Sequence, residues 1–444
     1  MPAVYVLNLV VAGLLTFWPL WFSCRVLKLP LLNPFTIALL VSLPVEVMKL
    51  FGGPLALIEG GLFDPGYQFA VLASNVQLVC QVFGLFVFFR GAGLFRIERF
   101  LPMRQNVLCP EGLRWGARLF LLLYGLAFWL LASAEFGVVN WLSNPREGYQ
   151  LYRTGQGHWY ALGITSLSVS LLLSFLACPR AGPVLRRTPI YLAMAYFLGS
   201  KMILLSVFVS TLIFLWFIRW GHLKKLIAVG APVVFALLIW NLFLALSDGF
   251  EFQSILEYFD FYKNAADYYR AYMAREIDLY WGEITSTSLT AYVPRAWWPE
   301  KPTVYGILII NEIFYPGQAE LTNTPAFGGA VEQFADFGFP GVMLSGMFGG
   351  FTILTAVASY LIFRRPGLDL KHVSPIAVAA LLVQFVPTFG LFFPGLLYAA
   401  LLAVVVWTVR FLASGRQRRS GGKPSSYRLA RDGGESVVSG SRTD

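Results

Sequence analysis

Long apolar runs alternate with short polar stretches along most of this chain. Runs of roughly 17–25 residues are long enough to cross a bilayer as helices. The pattern predicts spans at 4–23, 31–50, 69–89, 117–139, 158–178, 188–200, 202–219, 226–246, 340–363, 373–389 and 394–412. The expected fold is therefore an all-α polytopic membrane protein with about 11 transmembrane helices, within a range of 10–12. The stretch 188–219 is too long for one upright helix. Gly199-Ser200-Lys201 divides it, because a glycine and a charge are costly in lipid, and a turn is expected there.

Composition agrees with this pattern. Hydrophobic residues make up 57% of the 444 positions and charged residues 13%, against about 25% charged in a soluble domain. The first apolar run begins almost at Met1 without a basic leader and reads as a span rather than a cleaved signal. Charge sets the orientation. With the C-terminus in the cytoplasm, most of the 34 Lys and Arg fall on the cytoplasmic side, including Arg90, Arg96, Arg186, Arg187, Lys224 and Arg364. The N-terminus is then external. The net charge of +10 is mainly this topological bias, and nucleic-acid binding is not implied. Residues 1–412 form the membrane domain, and 413–444 form a polar, basic, disordered cytoplasmic tail. Cys24, Cys80, Cys109 and Cys178 have no metal-site spacing, so neither a disulfide nor a metal is expected.

Two external segments exceed a simple turn: 140–157 and the much longer 248–339. Within the second, Phe252–Ile284 mixes Tyr and Phe with acids and arginines, and predicts amphipathic helices on the membrane surface. The few external cations are clustered. Arg146 and Arg153 lie in NPREGYQLYRTGQGHW, Lys201 in the 199–201 turn, and Arg295 and Lys301 in VPRAWWPEKPTVYG. Insertion bias depletes such positions of cations, and the planar donor fork of arginine suits phosphate oxygens. A clamp on a lipid pyrophosphate would account for them. Lys263, Arg270 and Arg275, by contrast, sit among acids that would pair with them. Trp297 and Trp298 are either interfacial anchors or a stacking floor for a sugar ring.

Glu332 and Asp336, in AVEQFADFGFPG, are four residues apart and would share a helix face. They are either a cap and counter-charge at a helix start or a general base with its positioning partner. Glu46 and Lys49 read as a structural pair at i, i+3. His158 reads as a satisfied boundary residue. The chain has no phosphate-binding loop, no zinc-protease motif and no nucleophile elbow. An enzyme acting outside the cell has no nucleotide to spend, so its donor must arrive activated, as a polyprenyl pyrophosphate sugar does.

These residues resemble the oligosaccharide repeat-unit polymerases, the O-antigen polymerases of the Wzy type. In that family each of two external loops carries an Arg, ten residues and a Gly. Here Arg146 precedes Gly157 and Arg295 precedes Gly306 at that spacing. PRAWWPEKP is similar to the family's Pro-Arg, aromatic, Pro, Lys-Pro segment. Glu332, Phe334, Asp336, Phe337, Gly338 and Gly341 are similar to its acidic-aromatic-Gly stretch before a late span. The 199–201 turn also matches, with Lys201 where Arg is commoner.

The resemblance implies a glycosyltransferase-C-like helical enzyme of the bacterial inner membrane, with a large helical periplasmic loop and a periplasmic active site. Its substrates would be undecaprenyl-pyrophosphate-linked oligosaccharides, with a flippase and a chain-length regulator as partners and no cofactor. Arg146 and Arg295, with Arg153, Lys201 and Lys301, would neutralise the pyrophosphate, and Glu332 or Asp336 would act as base. Tyr149, Trp297 and Trp298 would shape sugar sites, and Gly157 and Gly306 would allow close turns. The rivals are an O-antigen ligase and a lipid-linked oligosaccharide flippase. A ligase would carry a histidine in the long external loop, and 248–339 has none. A flippase would show inverted repeats and charges buried in mid-span.

Overall fold

Lipid offers no partners to backbone N–H and C=O groups, so an apolar segment must satisfy them within itself, as a helix does. In the computed structural model all regular structure among the described residues is helical. Those residues are 2–51, 63–94, 110–135, 137–145, 156–178, 180–218, 221–228, 230, 261–290, 293, 297–300, 302–317 and 325–364. Of the expected spans, 373–389, 394–412 and nearly all of 226–246 lie outside them, as does the tail 413–444.

The chain opens with α1 (Pro2–Thr16) and α2 (Trp18–Trp21), followed by a π-turn at Phe22–Val26. Then come α3 (Pro34–Phe51), α4 (Pro65–Leu94), α5 (Pro110–Glu135) and the short α6 (Val138–Ser143). Next are α7 (Gly157–Ala177), α8 (Ala181–Phe197) and α9 (Lys201–Phe217). The later part holds α10 (Phe261–Met273), α11 (Glu283–Thr290), α12 (Leu308–Phe314) and α13 (Val331–Arg364). Among the described residues four stretches are long and apolar enough to cross a membrane: Ala3–Val26, Pro65–Val87, Glu111–Ala134 and Gly157–Ala177.

Local chemistry sets the boundaries. Proline occupies the first position of α3, α4 and α5, where its missing N–H costs nothing. Asn33 caps α3, its Oδ1 accepting the N–H groups of Phe35 (2.9 Å) and Thr36 (3.2 Å). Asp64 caps α4 by accepting from Tyr67 N at 2.9 Å. The break between α8 and α9 falls at Gly199, whose φ of 75° ends one helix and lets Lys201 begin the next.

The helices pack around two cores. One joins α5, α7, α8 and α9 through Leu131, Leu167, Phe175 and Leu215. Its central helix α7 is buried nearly throughout and turns its hydroxyls inward: Ser170 donates to the carbonyl of Ala117 on α5 at 2.7 Å. The other core joins α1, α4 and α10–α13 through Tyr67, Ala70, Tyr269, Ile310 and Phe334. A smaller cluster of Phe22, Leu27, Leu29 and Leu85, with Trp216 and Ile353 against it, bridges the two.

One expectation changes. The apolar face of α10 does not lie on a membrane surface; it is spent on protein. Tyr262, Ala265, Ala266 and Tyr269 are buried against α4 and the start of α13. The approach is close because Gly66 lets the chain pass beside Ala266, where any Cβ would overlap the carbonyl. The tyrosine hydroxyls find partners there: Tyr269 donates to Gly329 O (2.6 Å) and Tyr262 to Ser74 Oγ (3.2 Å). Lys263 and Arg270 pair with Asp267, as their acidic setting suggested.

The α4–α13 contact is the tightest in the second core. Gly346 and Gly350 of α13 ride on α4, where a Cβ on the first would overlap Gln77 O and one on the second would sit 2.5 Å from Leu85 N. Gly84 answers from α4, 2.9 Å from the Met347 Cα by the same measure. Small residues of this kind let helices approach in lipid, where packing rather than water drives association. Gly346→Val should destabilise the fold by about 1–3 kcal/mol, the usual cost of overpacking. Thermal unfolding of the detergent-purified protein checks this, with Gly125→Val as control, since a Cβ on Gly125 meets open space.

Candidate active site

A cavity of about 350 Å³ opens where α3, α4, α10 and the start of α13 converge. Its walls carry Glu46 from α3, Ser74 and Gln77 from α4, Tyr262 from α10, and Glu332 and Gln333 from α13. The backbone of Gly328–Val331 closes one side. That turn is pinned from three directions. Gly328 N donates to Phe261 O (2.8 Å), Tyr269 holds Gly329 O, and Asn264 Nδ2 donates to Ala326 O (2.9 Å). Gly329 (φ 60°) lies so close to Ala70 that a Cβ would stand 2.8 Å from that methyl.

The two carboxylates of this cavity differ in their surroundings. Glu46 uses one oxygen, Oε2, for both the Thr16 hydroxyl (2.8 Å) and the Lys49 ammonium. Lys49 is 1% exposed, and its carbonyl accepts from Tyr67 Oη at 2.5 Å. Glu332 accepts no hydrogen bond from the described residues. Burial first, and the charge of Asp336 second, push its carboxyl above the ordinary value. Burial likewise raises the phenol of Tyr262, which stays protonated and a donor.

Asp336 faces elsewhere. It is fully buried, and its carboxylate caps α11. Oδ1 accepts from Gly282 N (3.2 Å) and Ile284 N (2.9 Å), and Oδ2 from Thr285 N (2.7 Å) and the Thr285 hydroxyl. These contacts fill both oxygens and place a negative charge at a helix N-terminus. Glu332 and Asp336 thus share a short helical segment but serve different neighbours. That segment ends at once: Gly338 takes φ 63°, ψ −150°, and Pro340 follows, so α13 kinks before its long apolar part.

The other sequence candidates are scattered. Arg146, Tyr149, Arg153, Arg295 and Lys301 lie outside the described residues. Trp297 and Trp298 sit in a turn, 82% and 37% exposed. Gly306 adopts φ 59°, and its N–H donates to Thr287 Oγ1 at 2.9 Å, so its close approach is to α11. Gly157 is the buried first residue of α7, in ordinary helical backbone rather than a tight turn. Lys201 is the first residue of α9. Ser74, Gln77 and Gln333 drew no notice in the sequence. The available signal was the polar stripe Ser74, Gln77, Gln81 inside the apolar run of α4, at helical spacing on one face.

Asp336→Asn should lower stability by about 1–3 kcal/mol, since an amide group replaces an acceptor that several donors require. The loss should appear as reduced membrane level and earlier melting, with Asp336→Ala at least as severe. Normal melting of Asp336→Asn would show that the cap does not hold α11.

Comparison with known proteins agrees with the residue patterns. The chain is 25% identical over 232 residues to the O-antigen polymerase of Salmonella typhimurium, and equally to the O-antigen polymerase of Salmonella typhi. The match covers 51% of this chain and 56% of each relative, so the chain spans about half the length of the relatives it matches. No family model and no solved structure matches. The chain is thus similar over about half its length to two O-antigen polymerases, and its described helices are those of a multi-pass helical membrane protein.

Proposed function

We propose that this chain polymerises undecaprenyl-pyrophosphate-linked oligosaccharide repeat units on the periplasmic face of the bacterial inner membrane. The observation that carries the reading is Glu332. It is a half-buried carboxylate with no hydrogen-bond donor among the described residues, raised in pKa, lining a cavity in a chain similar to O-antigen polymerases. A general base needs a free lone pair and a pKa brought towards the working pH. Asp336 has no free lone pair, so the base is Glu332, and Asp336 is a positioning residue for α11.

In the proposed reaction a hydroxyl of the acceptor repeat unit gives its proton to Glu332. The hydroxyl oxygen bonds to the reducing-end carbon of the donor glycan. The bond from that carbon to the pyrophosphate oxygen breaks, and the lipid pyrophosphate leaves with the electron pair. Arg146 and Arg295, with Arg153, Lys201 and Lys301, take up the developing negative charge, where arginine gives bidentate contacts and exclusion of water strengthens them. Tyr149, Trp297 and Trp298 pack on sugars, and with cations on the leaving group the chemistry needs no metal.

Glu332→Gln should lower polymerisation on the order of 10²–10⁴-fold, the range for loss of a general base. Its stability at neutral pH should not fall. A carboxyl whose folded pKa is raised stabilises the fold below its ordinary value and loses that contribution as pH rises through the raised one. Activity has the opposite dependence: it should fall as pH drops through the raised pKa of Glu332, at higher pH than an exposed carboxylate would give. Its charged neighbours among the described residues are Asp336 on its own segment and the Glu46–Lys49 pair across the cavity. In a strain lacking the gene, Arg146→Ala and Arg295→Ala should leave surface glycan at one repeat unit with normal membrane expression. Normal glycan length on a gel would overturn the pyrophosphate clamp. Polymerisation by purified protein should survive EDTA, and its loss would overturn the metal-free mechanism.

A further inference from the structure

The cavity also bears on which substrate it takes. Its volume of about 350 Å³ lies near the lower limit of ligand pockets, roughly 300–1,000 Å³. That is room enough for a sugar ring. Among the described residues its lining holds two carboxylates, two side-chain amides, a serine and a tyrosine, and no arginine, lysine or histidine. The neighbouring ammonium of Lys49 is already committed to Glu46. An ionised carboxylate only accepts hydrogen bonds, so its natural partner is a hydroxyl. The Glu46 charge is met by Lys49, but a uronate or phosphate would still face the carboxylate of Glu332 with no cation among the described lining residues to offset it.

The geometry of Glu46 adds a second observation. Both of its hydrogen bonds to described residues fall on Oε2. The ion pair with buried Lys49 and the bond from Thr16 hold the side chain in place, while Oε1 takes nothing from the described residues. Glu332 projects from the other wall. The rings of Tyr262 and Phe327 supply faces against which a sugar's C–H groups can pack.

Building on the polymerase reading, we propose that this cavity seats the terminal sugar of the acceptor repeat unit and that this sugar is uncharged, with Glu46 accepting one ring hydroxyl through Oε1 while Glu332 takes the proton of the reacting one. Glu46 is then a specificity-determining residue for the acceptor.

The test uses full-length protein in nanodiscs, polymerising the purified lipid-linked repeat unit. Glu46→Gln keeps the shape of the side chain and an oxygen for Thr16 and Lys49, and is assayed at matched membrane level because it leaves buried Lys49 without a counter-charge. It should raise KM for the acceptor on the order of tenfold, the loss of one charge-assisted hydrogen bond, with kcat much less affected. Gln333→Phe adds a ring to the cavity lining without touching the ion pair or the Tyr262–Ser74 bond, and should raise the same KM at unchanged membrane level. Methyl hexosides should inhibit wild-type polymerisation in competition with the acceptor, and methyl hexuronides should not, whereas Glu46→Gln should narrow that difference. An acceptor KM within twofold of wild type in both variants would overturn the proposal, as would equal inhibition of wild type by the two glycosides. Loss of polymerisation in Glu332→Gln together with a normal KM in Glu46→Gln would sink the acceptor site alone. Full polymerisation in Glu332→Gln would remove the base assignment beneath it.

Discussion

The close crossing of α4 and α13 is the contact on which the rest of the second core depends. It exists because Gly84, Gly346 and Gly350 present no side chain where the helices meet. Two helices at that separation leave no room for a third between them, so α10 and the 325–330 turn pack across their ends. Gly66 and Gly329 repeat the device there, letting α10 and the turn press onto α4. In lipid this packing must come from van der Waals contact and hydrogen bonds, because the apolar faces have no water to escape. The tyrosines of α10 meet that demand, with ring area buried in the core and hydroxyls bonded to Gly329 and Ser74.

From this scaffold follows the divergence of two carboxylates four residues apart. Asp336 meets the N-terminus of α11 and takes backbone donors on both oxygens, the arrangement that best repays burying a charge. Glu332, one turn earlier, points to a cavity and meets none of the described donors. Burial with donors makes an anchor, and burial without them makes a group ready to accept a proton. The kink at Gly338 and Pro340 keeps this segment apart from the long apolar helix that follows. Glu46 is a third case, a carboxylate held by Lys49 and Thr16 with one oxygen left over. The three environments suit three tasks: holding the fold, accepting a proton and reading a hydroxyl.

Much of this was legible in the order of residues. Apolar run length placed those expected helices that fall within the described residues, since a bilayer sets the length of any segment that crosses it. Gly199 marked the turn before α9, because a glycine acts on its own backbone. The acidic pair at the start of the last described helix was also visible, but its division of labour was not. Spacing alone says that residues four apart share a face; it cannot say which neighbour each will meet.

The amino-acid sequence by itself therefore determined a helical membrane protein, the approximate limits of the described apolar helices and the candidate carboxylates, because periodicity and hydropathy are local properties. Only the tertiary structure brought Glu46, near the start of the chain, to the cavity of Glu332, near the other end of the described residues. Only tertiary structure turned α10 from a surface helix into part of a core, and only it showed Asp336 to be spent on α11. Those outcomes depend on which helices meet and how closely. Glycines far apart in sequence decide that together, and no single stretch of the chain records it.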